Sequence, residues 1–302
     1  MKHTSPAHAG LPSANLCPPK SPGCHKVDLY SAGRPVAKPA PIVHPAARAP
    51  FKMPRSLLSV EADPKTAKGT PFGYLTGIVY LAPGQLAGVG NLCPHASPGC
   101  LLGCLFTSGN AGMFKAVNIA RVMRTRLLHD NRPAFLAILK GEIQGLIGQA
   151  LARGLKPVVR LNGTSDLPWE KLAPELFTLF PSVRFMDYTK SIKRAIAWSK
   201  GEMPRNYHLT FSLSETNGAQ AGLALAAGVN VAAVADGVTI GKRFALPGMT
   251  EARPTFSADR HDLRFLDRKA ADGRGRIGIL KAKGKARGDQ SGFVIRATSA
   301  AA

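Results

Sequence analysis

The chain has 302 residues, of which 45% are hydrophobic, so it can form one principal domain with a sizeable core. Lys and Arg number 40 against 18 Asp and Glu, and the formal net charge of +22 favours polyanionic partners, with nucleic acid first. No run of about eighteen apolar residues is present and no apolar run follows Lys2, which argues against a membrane span and a secretory signal. Five clustered cysteines are typical of a reducing compartment, so we expect a cytoplasmic protein.

The N-terminal part of the chain differs in composition from the rest. Residues 1–70 are rich in Pro, Ala, Ser, Lys and Arg and show no sustained periodicity, which predicts a disordered basic arm. Strand and helix patterns begin near residue 72 and continue almost to the end. We therefore expect a folded domain over residues 71–296 and a disordered tail over 297–302.

Three of the five cysteines lie in one short loop, NLCPHASPGCLLGC, which contains Cys93, Cys100 and Cys104. Its prolines and glycines disfavour a long helix or a strand. Three thiols this close predict an inorganic centre, either an iron–sulfur cluster with one iron position open or a zinc ion with His95 as the fourth ligand. The other possibility, three unliganded cysteines, would leave the loop prone to oxidation. The spacing alone does not choose between iron and zinc.

The arm contains a second copy of the first part of this motif. NLCPPKSPGC at residues 15–24 nearly repeats NLCPHASPGC at residues 91–100. The copy has no counterpart of Cys104 and no strand before it. Cys17 and Cys24 are therefore not assigned to the site.

The rest of the chain alternates between strand and helix patterns. Strands are predicted over 73–81, 156–161, 183–186, 207–211, 229–235 and 278–283, and helices over 111–129, 134–153, 169–180, 191–200 and 217–227. About six units of strand followed by helix indicate a parallel sheet, open or curled. The predicted fold class is α/β, a partial (β/α)6 TIM-like barrel preceded by the disordered arm.

Polar residues follow nearly every predicted strand at its C-terminal end. In a barrel this rim carries the chemistry, although a single residue of this kind could equally be a helix N-cap. The set comprises Asn162, Thr164, Asp166, Asp187, Thr189, Lys190, Ser212, Ser214, Glu215, Asp236, Lys281 and Lys283. We take Asp187, Lys190, Glu215 and Asp236 as candidate catalytic residues, with the carboxylates as acid or base.

The predicted helix 111–129 carries several basic residues. Lys115, Arg121, Arg124 and Arg126 are expected mostly on the flank away from the core, where they could guide an anionic substrate. Together with the arm and the basic segment 281–287, this flank is a candidate nucleic-acid surface.

Five separated motifs resemble the phage gene product 88 family. They are NLCPHASPGC with the later Cys104, VRLNGTSDLPWE, FMDYTK, NYHLTFSLSE and LKAKGKARGDQSGFV, and together they span about residues 72–296. The resemblance implies a phage or mobile-element origin and brings no established activity.

A looser resemblance is to the radical S-adenosylmethionine enzymes, because a cysteine loop follows the first strand of a predicted partial barrel. The resemblance implies a [4Fe–4S] cluster on Cys93, Cys100 and Cys104 whose free iron binds the methionine part of S-adenosylmethionine. It also implies that Asn162, Thr164, Asp166, Ser212 and Glu215 contact that cofactor. The chain differs from the family in its C-x6-C-x3-C spacing, where C-x3-C-x2-C is usual, and in having Asn-Gly-Thr where Gly-Gly-Glu is usual.

Two functions follow from these observations. The first is an iron–sulfur, radical S-adenosylmethionine-like enzyme that acts on a nucleic acid or nucleotide. The second is a zinc-stabilised nucleic-acid-binding protein without catalysis, serving phage or plasmid replication. A metal-free hydrolase has less support, since no P-loop, dinucleotide fingerprint or G-x-S-x-G motif is present.

Overall fold

The computed structural model describes residues 43–62 and 64–297, so the predicted arm up to residue 42 and the tail from residue 298 lie outside it. The described residues form a mixed α/β fold, which confirms the predicted class. The strands are β1 (Leu58–Val60), β2 (Tyr74–Val79), β3 (Lys156–Arg160), β4 (Arg184–Thr189), β5 (Tyr207–Ser212), β6 (Val231–Asp236), β7 (Arg243–Phe244), β8 (Arg253–Ser257), β9 (Ile277–Leu280) and β10 (Ile295–Arg296). The α-helices are α1 (Pro64–Ala67), α2 (Pro98–Leu102), α3 (Asn110–Met113), α4 (Lys115–Asp130), α5 (Arg132–Ala152), α6 (Trp169–Leu172), α7 (Glu175–Leu179), α8 (Ile192–Ser199) and α9 (Gly218–Ala226).

The strands form one sheet in the order β1-β2-β3-β4-β5-β6-β9-β8-β7, with β10 beside the end of β6. Neighbouring strands from β2 to β6, and then β9 and β8, are parallel, whereas β1 and β7 are antiparallel to their neighbours. The sheet is not a closed barrel, because the order runs from one edge strand to another. The partial barrel stays a prediction.

The folded domain begins earlier than predicted. β1 pairs with β2, and Leu57 just before it is fully buried. The carboxylate of Glu142 in α5 accepts hydrogen bonds from the backbone N–H groups of Leu57 and Leu58. The boundary at residue 70 is therefore placed too late, because a short strand anchored by a distant side chain has no periodicity of its own.

Side chains alternate between the two faces of the sheet, and this alternation positions the site. In β4, Phe185 packs in the main core beneath the helices, whereas Met186 packs on the opposite face. There, Leu263 and Phe265 from the loop between β8 and β9 cover part of the sheet. The remainder of this face, toward the C-terminal ends of the parallel strands, borders a cavity.

Candidate metal-binding cavity

The cysteine loop folds around one short helix after β2. Ser97 is the N-cap of α2 and accepts a hydrogen bond from the backbone N–H of Cys100 at 3.3 Å, while Pro98 occupies the first helical turn. Cys93 precedes this helix, Cys100 lies within it, and Cys104 follows it. The helix therefore sets the spacing between Cys100 and Cys104, whereas Cys93 lies outside it and contacts the loop after β3.

All three thiols line one cavity of about 220 Å³. The Sγ of Cys93 donates to the carbonyl oxygen of Thr164 at 3.7 Å, and the Sγ of Cys104 accepts from the backbone N–H of Phe106 at 3.5 Å. Burial raises the pKa of the Cys93 thiol to about 12, and the nearby thiols of Cys104 and Cys100 also raise it. Burial likewise raises the pKa of Cys104. A raised pKa favours the neutral thiol, whereas a cysteine that ligates a metal is a thiolate.

The three cysteines at this cavity match an iron–sulfur cluster in the identity of the donor atoms. Within residues 43–62 and 64–297, no three His, Cys, Asp or Glu side chains are grouped closely enough to hold a metal ion, so the arrangement of a bound cluster is not present in this structure. Cysteine sulfur is the usual ligand of such clusters. His95, the fourth ligand of the zinc alternative, is exposed and lies outside the cavity wall. Three sulfurs with an open position thus suit the site better than a Cys3His set.

Glu215, which follows β5, holds the start of the cysteine helix. One of its carboxylate oxygens accepts from Ser97 Oγ at 2.6 Å, and the other accepts from the backbone N–H of Gly99 at 2.7 Å. The negative charge also complements the N-terminal end of α2. The predicted role of Glu215 as acid, base or cofactor ligand is not supported by these contacts, since both oxygens anchor the loop.

Two glycines let the C-terminal segment pack against the same helix. A Cβ at Gly99 would lie 2.1 Å from Ser291 Oγ and 2.7 Å from a Glu215 oxygen. A Cβ at Gly103 would lie 3.1 Å from the ring of Phe293. The cysteine loop is therefore clamped between the end of β5 and the segment before β10.

Asn162 organises the loop after β3. Its side-chain oxygen accepts from Ser165 Oγ, the backbone N–H of Leu167 and Trp169 Nε1, and its amide nitrogen donates to the Leu167 carbonyl and to Asp187. This loop places the Thr164 carbonyl against Cys93. Asn162 lines the cavity, but its side chain is occupied by the protein, so it positions the site rather than gripping a cofactor.

Asp187 lies behind the sheet, on the side of the helices. Its carboxylate accepts from the backbone N–H of Asn162 at 2.7 Å and from the Tyr207 hydroxyl at 2.8 Å, and it is 1% exposed. Burial raises the pKa of Asp187 to about 7. The candidate catalytic role is not supported, because alternation along β4 turns Asp187 away from the cavity that Tyr188 lines.

Asp166 and Lys190 meet at the cavity wall. The Asp166 carboxylate accepts from the Lys190 backbone N–H and from Arg194, both at 2.8 Å, and Arg194 also forms a buried ion pair with Glu170. The Lys190 ammonium donates to Ser212 Oγ at 2.7 Å. A polar pair therefore faces the cavity from the ends of β4 and β5.

The sequence-predicted site residues thus fall into two groups. Those that line the cavity are Cys93, Cys100, Cys104, Asn162, Thr164, Asp166, Lys190 and Ser212. Glu215 lies behind the cysteine helix, Asp187 behind the sheet, and Asp236 beyond the cavity, where its half-exposed carboxylate pairs with Arg296 at 3.3 Å. The candidate catalytic role of Asp236 is therefore not supported either.

The cavity also has wall residues that the sequence did not single out. Asp259 and Asp262 come from the irregular stretch between β8 and β9, and Arg160 and Tyr188 come from the sheet. Arg160 donates to Asp262 at 2.8 Å and stacks over the Tyr188 ring. The sequence contained one signal for this ion pair, because Arg160 lies within an apolar strand. A cation that is buried in a strand needs an acidic partner.

The arginines of α4 contact other parts of the chain instead of forming a free basic flank. Arg121 is 6% exposed and lies over the rings of Tyr80 and Phe106. Arg124 donates to the Ser56 carbonyl and Arg126 to the Ala49 carbonyl. Their contribution to a nucleic-acid surface is therefore smaller than predicted.

Fold and site together define an α/β protein with an open, mostly parallel sheet and a cysteine-lined cavity at its C-terminal edge. The model of the gene product 88 family matches residues 51–297, and the chain belongs to this family. No curated protein and no solved structure matches the chain. Within the part of the chain described here, no helix is long and apolar enough to cross a membrane.

Proposed function

We propose that the protein is an iron–sulfur enzyme resembling the radical S-adenosylmethionine class. The observation that carries this proposal is the convergence of Cys93, Cys100 and Cys104 on one cavity at the C-terminal edge of a parallel sheet. In parallel sheets this edge is where ligands bind. When bound, the cluster would supply an open iron that takes the methionine part of S-adenosylmethionine.

The chain's own residues would prepare the cavity for that chemistry. Thr164 and the Asn162 network would set the position of Cys93, and Glu215 would set that of Cys100 through Ser97. Of the residues predicted to contact the cofactor, Ser212 and Asp166 line the wall together with Lys190. A curled sheet, the partial barrel of the sequence prediction, would enclose this cavity and keep water from a reactive species.

The substrate in this proposal is a nucleic acid or nucleotide, because the net charge of +22 attracts polyanions. A zinc-stabilised nucleic-acid-binding protein is the competing function, and the same charge supports it. The two differ in metal, in colour and in their response to S-adenosylmethionine.

The test is an electron paramagnetic resonance spectrum of anaerobically reconstituted, reduced protein with and without S-adenosylmethionine. We expect a reduced-cluster signal whose shape changes when S-adenosylmethionine is added, because the cofactor ligates the open iron. Cys100→Ala is expected to lack the signal. A cluster signal that S-adenosylmethionine leaves unchanged would reject the cofactor, and zinc without a cluster would favour the competing function.

A further inference from the structure

The wall of the cysteine cavity carries more positive than negative charge. Six cationic and three acidic residues contribute to it. The cationic residues are Lys65, Lys68, Arg160, Lys190, Lys281 and Lys283, and the acidic residues are Asp166, Asp259 and Asp262. An enclosed wall of one sign concentrates ligands of the opposite sign.

The three carboxylates are already engaged by the protein. Asp166 pairs with Arg194, which lies outside the wall, and Asp262 forms a buried ion pair with Arg160. Asp259 pairs with Lys283 and also accepts from the backbone N–H of Lys281. The positive excess of the wall is therefore available to a ligand.

This excess is concentrated around Asp259. Lys283 reaches its carboxylate and Lys68 reaches its backbone carbonyl. Lys281 borders the same wall, and its ammonium makes no hydrogen bond or ion pair with the part of the chain that the structure describes. Three lysines and one carboxylate leave two positive charges, which match the charge of roughly −2 on a phosphate monoester. A ligand that carries a carboxylate has one negative charge and would neutralise only half of this positive charge. A phosphate monoester is therefore the better match.

We propose that Lys68, Lys281 and Lys283 bind the terminal phosphate of a nucleotide, or of a nucleic-acid end, inside the cysteine cavity. The proposal deepens the proposed function and rests on it for the nucleotide class of the substrate. Lysine is a common phosphate ligand because its ammonium acts as a compact point charge with three donors. The phosphate would lie in the same cavity as the thiols, which places the attached sugar or base within reach of chemistry at the cysteines.

Binding isotherms at physiological salt test this proposal with the 5′-monophosphates of the four common nucleosides and the four unphosphorylated nucleosides. We expect at least one monophosphate to bind at one site per chain and at least about tenfold more tightly than its nucleoside, a preference expected of a charge-assisted contact. Lys281→Gln, which removes no hydrogen bond or ion pair between described residues, is expected to weaken that binding by about tenfold, as is Lys68→Gln. Exposed Lys171 lies outside the wall, and Lys171→Gln is the matched control, expected to bind like the native protein.

Two further arms separate the possible outcomes. A short oligonucleotide with a 5′-phosphate, compared with the same oligonucleotide carrying a 5′-hydroxyl, shows whether the phosphate belongs to a nucleic-acid end or to a free nucleotide, and a preference for phosphate in either supports the proposal. Equal binding with and without the phosphate in both the nucleotide and the oligonucleotide comparison, or equal losses in Lys281→Gln and Lys171→Gln, would overturn it. Cys100→Ala is expected to lose the metal centre and keep the phosphate preference, so failure of the cluster and failure of the phosphate site give different results.

Discussion

Glu215 and Ser97 join two distant parts of the chain, because the Glu215 carboxylate accepts a hydrogen bond from Ser97 Oγ at 2.6 Å. The same carboxylate accepts from the backbone N–H of Gly99, so the end of β5 is tied to the first turn of the cysteine helix. The position of the cysteine helix thus depends on a residue outside the cysteine motif.

Replacing Glu215 with Ala removes both hydrogen bonds to the cysteine helix. Each involves a charged acceptor, so we predict a loss of about 2–4 kcal/mol in the free energy of unfolding and faster reaction of the cysteine thiols with a disulfide reagent. Glu215→Gln keeps an acceptor for the backbone N–H of Gly99. This variant should therefore retain part of the stability and part of the protection of the cysteine thiols. Exposed Glu202 is the control site. Thiol reactivity that is identical in Glu215→Ala and Glu202→Ala would show that this carboxylate does not hold the loop.

Gly99→Ala introduces a methyl group where Ser291 and Glu215 already lie. A Cβ at this position forces the side chains of Ser291 and Glu215 to move from their present contacts, and we predict a loss of about 1–3 kcal/mol in urea unfolding. The matched control is Gly141→Ala in α5, where a Cβ meets nothing within 4 Å and alanine favours the helix. That variant should gain about 0.5–1 kcal/mol. Equal effects at both sites would contradict the predicted crowding.

Asp187 gives the stability of the protein a specific pH dependence. Its pKa is about 7 in the folded protein against an ordinary 3.8, so the unfolded chain loses this proton first as pH rises. The stabilising contribution is complete below about 3.8, falls as pH rises toward 7, and stays lost above it. Asp187→Asn should therefore lose less stability between pH 5 and pH 8 than the native protein, as measured by urea unfolding. The exposed site Asp130 provides the control, and a slope unchanged in Asp187→Asn but altered in Asp130→Asn would refute the assignment.

Arg160 and Asp262 form a buried ion pair beside the cavity. Burial alone would raise the pKa of Asp262, but Arg160, Lys65 and Arg264 hold it below its usual value. Arg160→Met leaves the carboxylate buried without its main partner, and we predict a loss of about 3–5 kcal/mol. The double variant Arg160→Met/Asp262→Leu should be more stable than Arg160→Met, since no unpaired charge remains. If the double variant is the less stable of the two, the pair is not coupled as the contact implies.

The sequence predicted most of the parallel core well, because its strands except β8 have buried apolar runs and β2 to β5 are each followed by a helix. β2, β3, β4, β5 and β9 begin within one residue of the predicted starts. It missed β1, β7, β8 and β10, which are two to five residues long and depend on neighbouring strands for their stability. The predicted helix 169–180 is two helices, α6 and α7, since Pro174 lacks the N–H that a continuous helix needs.

The residues of the site were predicted less completely, because a sequence pattern does not show which way each side chain points. Placing polar residues at strand ends correctly brought Lys190 and Ser212 to the cavity. Asp187 does not line the cavity, because its position in β4 faces the helices and the strand continues to Thr189 rather than ending at residue 186. Asp259 comes from an irregular loop, whose path no periodic pattern specifies.

The central claim is that Cys93, Cys100 and Cys104 together bind an iron–sulfur cluster, and the most direct measurement is the iron and acid-labile sulfide content of anaerobically reconstituted protein. We predict about four irons and four sulfides per chain for the native protein, with brown colour and broad absorbance near 400 nm, as expected for one [4Fe–4S] cluster. Cys100→Ala should lose most of both, whereas Cys24→Ala, in the second copy of the motif, should keep them. The claim would be contradicted if the native protein held no iron or sulfide after reconstitution. It would also be contradicted if Cys100→Ala and Cys24→Ala lost iron and sulfide equally.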